Sequence, residues 1–466
     1  MLEEKEKWRS LRDSNPCYRR ERAMSLAARR RERREELDTG FIISMQNDKI
    51  PQVILNERIN PNAIKVITRL MEHGYSAYMV GGGVRDLLLN CYPKDFDIAT
   101  DAKPQDIKKL FRNCILIGKR FRLAHVRFGQ EIIEVATFRA DHSKAVGAEA
   151  ASKNGLILRD NVYGTLEEDA IRRDFTINAL YYNIANSSII DLCGGLKDLQ
   201  KKQLRMIGEP EKRYQEDPVR LLRVIRFAAK LNFKIEKKSE QPLYQMGYLL
   251  NQAAPARLFD EMNKLFLKGH AKNTFELLTK YDLFKQLFPS CGFVLSRESH
   301  YPNYPIKKFL LAAMKNSDDR IQEGKTLNPG FLFSVLLWYP LQIEIARGKE
   351  YGLSDPVAME EAISSIIKEQ NTATSIPKRY MEMIGEIWRL QFLFTLSKTQ
   401  KLVTRIITSL RFRAGYDFLL LREQAGELLE SDISWWKKFY EADEDERDLL
   451  MKKLPKNRKR NKPVNS

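Results

Sequence analysis

The 466-residue chain has few cysteines, and the five present, Cys17, Cys91, Cys114, Cys193 and Cys291, are scattered with no C-x-x-C pair. That spacing offers neither a zinc site nor a disulfide framework, so a reducing, cytoplasmic setting is expected. Long apolar runs are missing as well. The longest, from Phe331 to Pro340, contains Ser334 and falls short of the ~20 residues that cross a bilayer, so no membrane association is expected. The N-terminal residues lack the apolar centre of a signal peptide. Acidic residues are in the minority: 79 Lys and Arg face 61 Asp and Glu, a formal net charge of +18. A chain this basic is expected to meet a polyanion, with nucleic acid favoured over an acidic membrane surface.

What the chain does contain is unevenly distributed. Residues 1–40 hold twelve Lys/Arg against nine Asp/Glu, so residues 1–45 read as a solvated extension or an overlong start in preference to an RNA-binding arm. Residues 452–466 carry seven Lys/Arg and no acid, and 451–466 reads as a disordered polycationic tail. Between them, short β-branched runs alternate with helical stretches up to about residue 204, after which leucine, phenylalanine and tryptophan recur at helical spacing. The expectation is an α+β protein. A mixed head domain over 46–204 leads into an all-helical remainder, with a neck at 205–270 and a body and tail at 271–450.

Four constellations carry chemistry. The first is a strand at Ala77–Val80, the turn Gly81-Gly82-Gly83 and a helix start containing Val84 and Arg85. Glycines let the backbone approach a ligand, and free amides at a helix start suit phosphate. No Gly-Lys-Ser/Thr follows, so this is no P-loop, and Asp86 breaks the dinucleotide fingerprint. Alone it reads better as a plain tight turn. The second, Asp95-Phe96-Asp97, puts two carboxylates on one face of a strand with Phe96 and Ile98 behind them. Oxygen-only donors beside a phosphate turn favour magnesium over a solvated strand edge. A hairpin of 123–128 and 131–138 then places Glu134 among apolar neighbours, where it is either a third carboxylate near the metal or half of a salt bridge to an arginine.

In the third, Arg172 to Leu180, the apolar positions anchor the segment and leave Arg173, Asp174 and Asn178 to face a ligand, unless Arg173 and Asp174 form only a local ion pair. The fourth is a helix from Pro218, capped by Asp217, with Arg220, Arg223 and Arg226 on one stripe. Asp217 and Arg220 together present the acceptor and donor that the edge of adenine requires.

These residues resemble the ordered motifs of class II template-independent RNA nucleotidyltransferases: Gly82-Gly83-Val84-Arg85-Asp86, Asp95-Phe96-Asp97, Arg172-Arg173-Asp174-Phe175-Thr176-Ile177-Asn178, and Glu216-Asp217-Pro218-Val219-Arg220-Leu221-Leu222-Arg223. That group holds the CCA-adding tRNA nucleotidyltransferases and the bacterial poly(A) polymerases. The stretch 111–126, with Leu116-Ile117-Gly118-Lys119-Arg120-Phe121, and the basic tail are similar to the polymerases. The resemblance implies a nucleotidyltransferase head with catalytic Asp95, Asp97 and Asp174. It implies Mg2+ on Asp95 and Asp97, and nucleotide contacts from Gly82, Gly83, Arg85, Arg173, Asn178, Asp217, Arg220, Arg223 and Arg226. The implied reaction is transfer of AMP from ATP to RNA 3′ ends with release of pyrophosphate. CCA addition is the alternative. A monomer working alongside RNA-degradation machinery is the expected context.

Overall fold

The computed structural model describes residues 58–118, 122–140, 150–153, 156–160 and 162–456. The extension 1–45, Lys119 to Phe121 and most of the basic tail lie outside the described residues.

The head is built on a seven-stranded mixed sheet. Its strands are β1 (Ala77–Val80), β2 (Asp97–Thr100), β3 (Cys114–Ile117), β4 (Leu123–Phe128), β5 (Glu131–Thr137), β8 (Leu180–Asn183) and β9 (Ser188–Asp191), in the order β3-β4-β5-β2-β1-β8-β9. The strands β6 (Ala150–Lys153) and β7 (Leu156–Asp160) form a separate ribbon. Only β2 and β5 pair in parallel; the other neighbours are antiparallel. The predicted hairpin is in place, turning at Gly129 with φ +63°.

Alternation decides the two faces. Met79, Ile98, Ala124, Val126, Ile133 and Val135 point into the main core. Over them lie α1 (Pro61–Glu72) against β1, β2 and β5, α2 (Gly82–Leu88) against β1 and β8, and α3 (Pro104–Leu110) against β3 and β4. The opposite face carries Asp97 on β2, Glu134 on β5 and His125 on β4, with a small apolar cluster of Val80, Ala99, Phe138, Ala170 and Tyr181 beside them. Ala170 belongs to α4 (Leu166–Arg172), whose first turn is closed by a capping box between Thr165 and Glu168. The acids therefore stand on the less covered side of the sheet.

After α5 (Gly195–Gln200) the chain becomes helical, as the change in periodicity predicts, apart from the two-residue pairing of Gln203–Leu204 with Lys234–Ile235. Helices α6 (Pro210–Glu216) and α7 (Val219–Leu231) make the neck. The apolar stripe of α7, including Leu221, Leu222, Val224, Ile225 and Ala228, is buried, and α7 packs on the helices Pro255–Phe266 and Ala271–Lys280. Apolar packing runs unbroken from the head past residue 270, and the tail helices add a second cluster around Phe394, Trp436 and Phe439. Among the described residues no single helix is long and apolar enough to cross a membrane. The bent pair Pro329–Leu336 and Trp338–Glu350 is apolar because Phe333, Leu336, Trp338 and Leu341 fill the body core.

Candidate active site

Two glycines bring the turn and the acids together. Gly81 has φ +74°, and a Cβ there would stand 3.4 Å from Arg173 Nη1. A Cβ on Gly83 would stand 3.3 Å from the Asp95 carbonyl oxygen, a tight contact that glycine avoids where the first turn of α2 lies close to the acidic segment. The strand begins at Asp97, leaving Asp95 just ahead of it. The alternation still holds: Phe96 and Ile98 are buried, Asp95 is exposed and Asp97 is half-buried. Burial, followed by the nearby charges of Glu134 and Asp95, pushes the Asp97 carboxyl up to about 6, while Arg173 pulls the other way. Glu134 therefore lies in the electrostatic reach of Asp97. Among the described residues its neighbour is a histidine, with His125 Nε2 3.3 Å from Glu134 Oε1 but off the hydrogen-bond line.

Arg173 is held in one orientation by a carboxylate and a phenol. Its Nη2 and Nε donate to Asp169 Oδ2 at 2.9 and 3.2 Å, and its Nε also reaches the Tyr181 hydroxyl at 3.0 Å. Tyr181 in turn donates to Asp169 at 2.7 Å. Burial opposes the guanidinium charge, yet Asp169 outweighs it and keeps Arg173 firmly protonated. The guanidinium thus sits between the Gly81 turn and Asp97 in a fixed orientation.

Other predicted residues are placed differently. Arg85 does not face an open cleft: it is 2% exposed, donates to Asp86 Oδ1 and to Asn178 Oδ1 at 2.6 Å, and lies 5.2 Å from the centre of the Phe227 ring. The helical turn rotates it inward, where Asp86 and the neck receive it. Asn178 is also buried, bridging Arg85 to Asp174. Asp174 is not grouped with Asp95 and Asp97. Its Oδ1 accepts from the Phe175 amide at 2.8 Å and from Asn178 at 3.1 Å, and its Oδ2 accepts from Arg223 Nε at 2.7 Å. Burial alone would raise its pKa; Arg223 and the hydrogen bonds outweigh that and hold it down at about 2.

The neck arginines form a row of ion pairs instead of an open stripe. Arg220 Nη1 donates to Glu216 at 2.9 Å and to the Arg213 carbonyl, and Arg223 pairs with Asp174. Arg226 meets Glu261 at 2.6 Å, angled off the hydrogen-bond line. Asp217 does not cap α7, whose N-cap is Pro218 without a side-chain bond. It ends α6, and its two oxygens accept from Arg257 Nη1 and Nη2 at 2.9 and 3.0 Å. The proposed Asp217–Arg220 pair is thus two adjacent pairs, Asp217–Arg257 and Arg220–Glu216, on one surface. Arg257 left no local mark in the sequence, because it stands forty positions away at the start of another helix. Phe227, which packs on Arg85, is equally remote in sequence, whereas Asp169, four residues before Arg173, and Glu216, four residues before Arg220, were both legible as i,i+4 partners.

Known proteins carry the same arrangement of segments. Residues 77–205 match the poly A polymerase head domain, 232–292 the probable RNA and SrmB-binding site of polymerase A, and 351–465 the polymerase A arginine-rich C-terminus. Poly(A) polymerase I of Escherichia coli O6:H1 is 44% identical over 406 residues, covering 85% of this chain and 86% of that protein. The chain belongs to the poly(A) polymerase family. A CCA-adding enzyme of Lactobacillus helveticus is 36% identical over 230 residues, covering 49% of this chain and 54% of that protein. Among solved structures, a tRNA-processing enzyme in an apo form superposes with a TM-score of 0.55 at 27% identity, covering 84% of this chain and 99% of that one.

As members of the nucleotidyltransferases, poly(A) polymerases use a divalent metal, and the donor set here fits one. Among the described residues no cluster of three or more His, Cys, Asp and Glu side chains forms a closed cage. Two oxygen donors at the start of the interior strand β2, with negative charge from Glu134 in excess, suit a cation that keeps water and substrate phosphate in its shell.

The depressed Asp174 pKa gives a pH prediction. A carboxyl whose folded pKa lies below its unfolded value of 3.8 adds stability above that value and loses it as pH falls through about 2. Acid unfolding followed by near-UV circular dichroism should therefore shift in Asp174→Asn, which lacks this titration, with the difference between variant and parent shrinking from pH 4 to pH 2. A constant difference across that window would contradict the assignment.

Proposed function

We propose that the chain extends RNA 3′ ends with adenylate taken from ATP, without a template. The observation that carries this reading is the extent of identity: it reaches from the head through the body for poly(A) polymerase I but covers only about half the chain for the CCA-adding enzyme. CCA addition is therefore the less supported reading.

The site supports a definite division of labour. Asp95 and Asp97 would hold the divalent ion, which we take to be magnesium because every donor is a carboxylate oxygen. Bound there, magnesium supplies positive charge to the triphosphate and lowers the pKa of the attacking hydroxyl. Arg173, locked by Asp169 and Tyr181 beside the Gly81 turn, presents its guanidinium to phosphate oxygens. The 3′-hydroxyl gives its proton to water, the O3′–Pα bond forms, and the phosphoanhydride bond between the α- and β-phosphates breaks to release pyrophosphate. Asp174 acts through Arg223 and Asn178, fixing α7 against the head. On the neck, Asp217 with Arg257 and Arg220 with Glu216 offer paired acceptors and donors to the base. Neither pair needs an RNA template to choose adenine. RNA-degradation machinery is the proposed cellular context.

Two experiments test this. An unstructured RNA primer should be extended as well as a tRNA lacking its terminal CCA; a strict need for the tRNA acceptor would favour the alternative. In competition between ATP and CTP, Asp217→Ala and Arg257→Ala should each reduce preference for ATP by roughly five- to a hundredfold, the worth of one bidentate base contact. Because the two residues form one pair, the double variant should lose no more than either single one. Additive losses would place them in separate roles.

A further inference from the structure

A cavity of about 770 Å³ opens on the helical body, and none of its lining residues belongs to the head. Its deep wall is aromatic, with Phe275 and Phe284 packed edge to face at 5.1 Å between ring centres and both buried. A third ring, Phe293, is 49% exposed, and the Arg297 guanidinium lies 4.0 Å from its centre. At the rim, Asn251 Nδ2 donates to Gln286 Oε1 at 3.4 Å. That contact leaves Asn251 Oδ1 and Gln286 Nε2 with no hydrogen bond among the described residues, an amide acceptor and an amide donor side by side.

An exposed aromatic ring next to adjacent amide edges is the chemistry of a nucleobase site. The charges fit the attached phosphates. The two acids at the pocket are engaged, Asp282 with Lys285 and Glu298 with the Lys307 backbone amide. Arg297 and Lys307 have no ion-pair partner among the described residues, so three cations, Lys285, Arg297 and Lys307, face the two acids and leave a small positive excess toward a polyanion. The acceptor–donor pair can meet the amino group and neighbouring ring nitrogen of adenine or cytosine, or the N3–H and adjacent carbonyl of uracil, so size decides among them. Adenine, with two rings, better fills a pocket with aromatic walls.

We infer that this pocket holds an adenine of single-stranded RNA, between the Asn251–Gln286 amides and Phe293, so that the body grips the adenylate tail the head has made. The inference rests on the polyadenylation reading for its choice of strand. The family segment described as a probable RNA and SrmB-binding site, 232–292, contributes Asn251, Phe275, Phe284 and Gln286 to the pocket. Helix Ala271–Lys280, which supplies Phe275, packs on the neck helix α7.

The test is binding of the full chain, without ATP, to fluorescent oligo(A), oligo(C) and oligo(U) of about 15 nucleotides, long enough to span a single-strand site. Phe293→Ala should weaken oligo(A) binding by about tenfold, the order lost with one stacked base. Oligo(U) should change by less than twofold. Gln286→Glu, which replaces the donor with a carboxylate of the same shape, should weaken oligo(A) binding while the protein stays folded. Incorporation of AMP into a very short primer should be unchanged in both. Equal losses for all three oligomers would overturn the base assignment. Unchanged binding throughout would overturn the RNA site and leave the face to a protein partner. Failure of the parent chain to incorporate AMP would instead strike at the polyadenylation reading, and the binding comparison would still decide the pocket.

Discussion

Asp97→Asn should lower the rate of AMP transfer at least a thousandfold while leaving the protein no less stable than the parent. Loss of a metal donor at the reacting phosphate removes several kcal/mol of transition-state stabilisation, and ~1.4 kcal/mol is already tenfold in rate. The stability half of the result follows from the sign of the pKa shift. A carboxyl raised from 3.8 to about 6 in the fold is held less comfortably as an anion than in the unfolded chain. It therefore opposes folding increasingly as pH rises from about 4 through 6, by about 1–3 kcal/mol at pH 8 without metal. Asparagine removes the charge and keeps the shape. Single-turnover AMP incorporation and thermal unfolding at pH 8 in a chelator check the two halves. An active variant would remove Asp97 from the metal site, and an inactive but destabilised one would make its role structural. Asp95→Ala should match it in rate, with a smaller effect on stability because Asp95 is exposed.

Asp174→Ala should be the opposite kind of variant, losing stability first. Its carboxylate is the partner of the Arg223 guanidinium and of two further donors in the interior between head and neck. Removing one member of such a pair strands the other, a loss of ~3–5 kcal/mol. Phe227 raises the stakes, since Arg85, Arg223 and Arg226 all lie within 4.5–5.5 Å of its ring centre and an unpaired Arg223 would disturb all of them. The midpoint of urea unfolding should fall clearly, and Asp174→Ala with Arg223→Met should recover part of the loss by removing both charges. If the single variant melts like the parent and is simply inactive, Asp174 belongs with Asp95 and Asp97 as a direct participant in catalysis.

How far the sequence could be read depended on whether a signal was local. Strand β1, the β4–β5 hairpin and the switch to helices after residue 204 follow from periodicity and turn chemistry, and they appear where the pattern puts them. The Asp95–Asp97 geometry was legible for the same reason: a period of two carries the acids to one face even though the strand starts only at Asp97. The arginines were not legible. Helical spacing puts Arg220, Arg223 and Arg226 on one stripe, but the acids that neutralise them include Asp174 in the head and Glu261 on the helix Pro255–Phe266, contacts formed only when distant segments pack. Arg85 looked like a phosphate ligand because its neighbours are glycines; its burial depends on Phe227, more than a hundred positions away. Glu134 had an undetermined partner because cross-strand register, which sets His125 opposite it, is a property of the folded sheet.

The most direct measurement is the length and composition of product when a short, unstructured RNA is incubated with magnesium and each nucleoside triphosphate in turn. Long ladders with ATP and little extension with CTP, GTP or UTP are expected, because the proposed role of the neck pairs is to choose adenine and no template limits the number of additions. Extension that needs CTP, or that stops after two cytidines and one adenosine, would contradict the assignment and make the chain a CCA-adding enzyme.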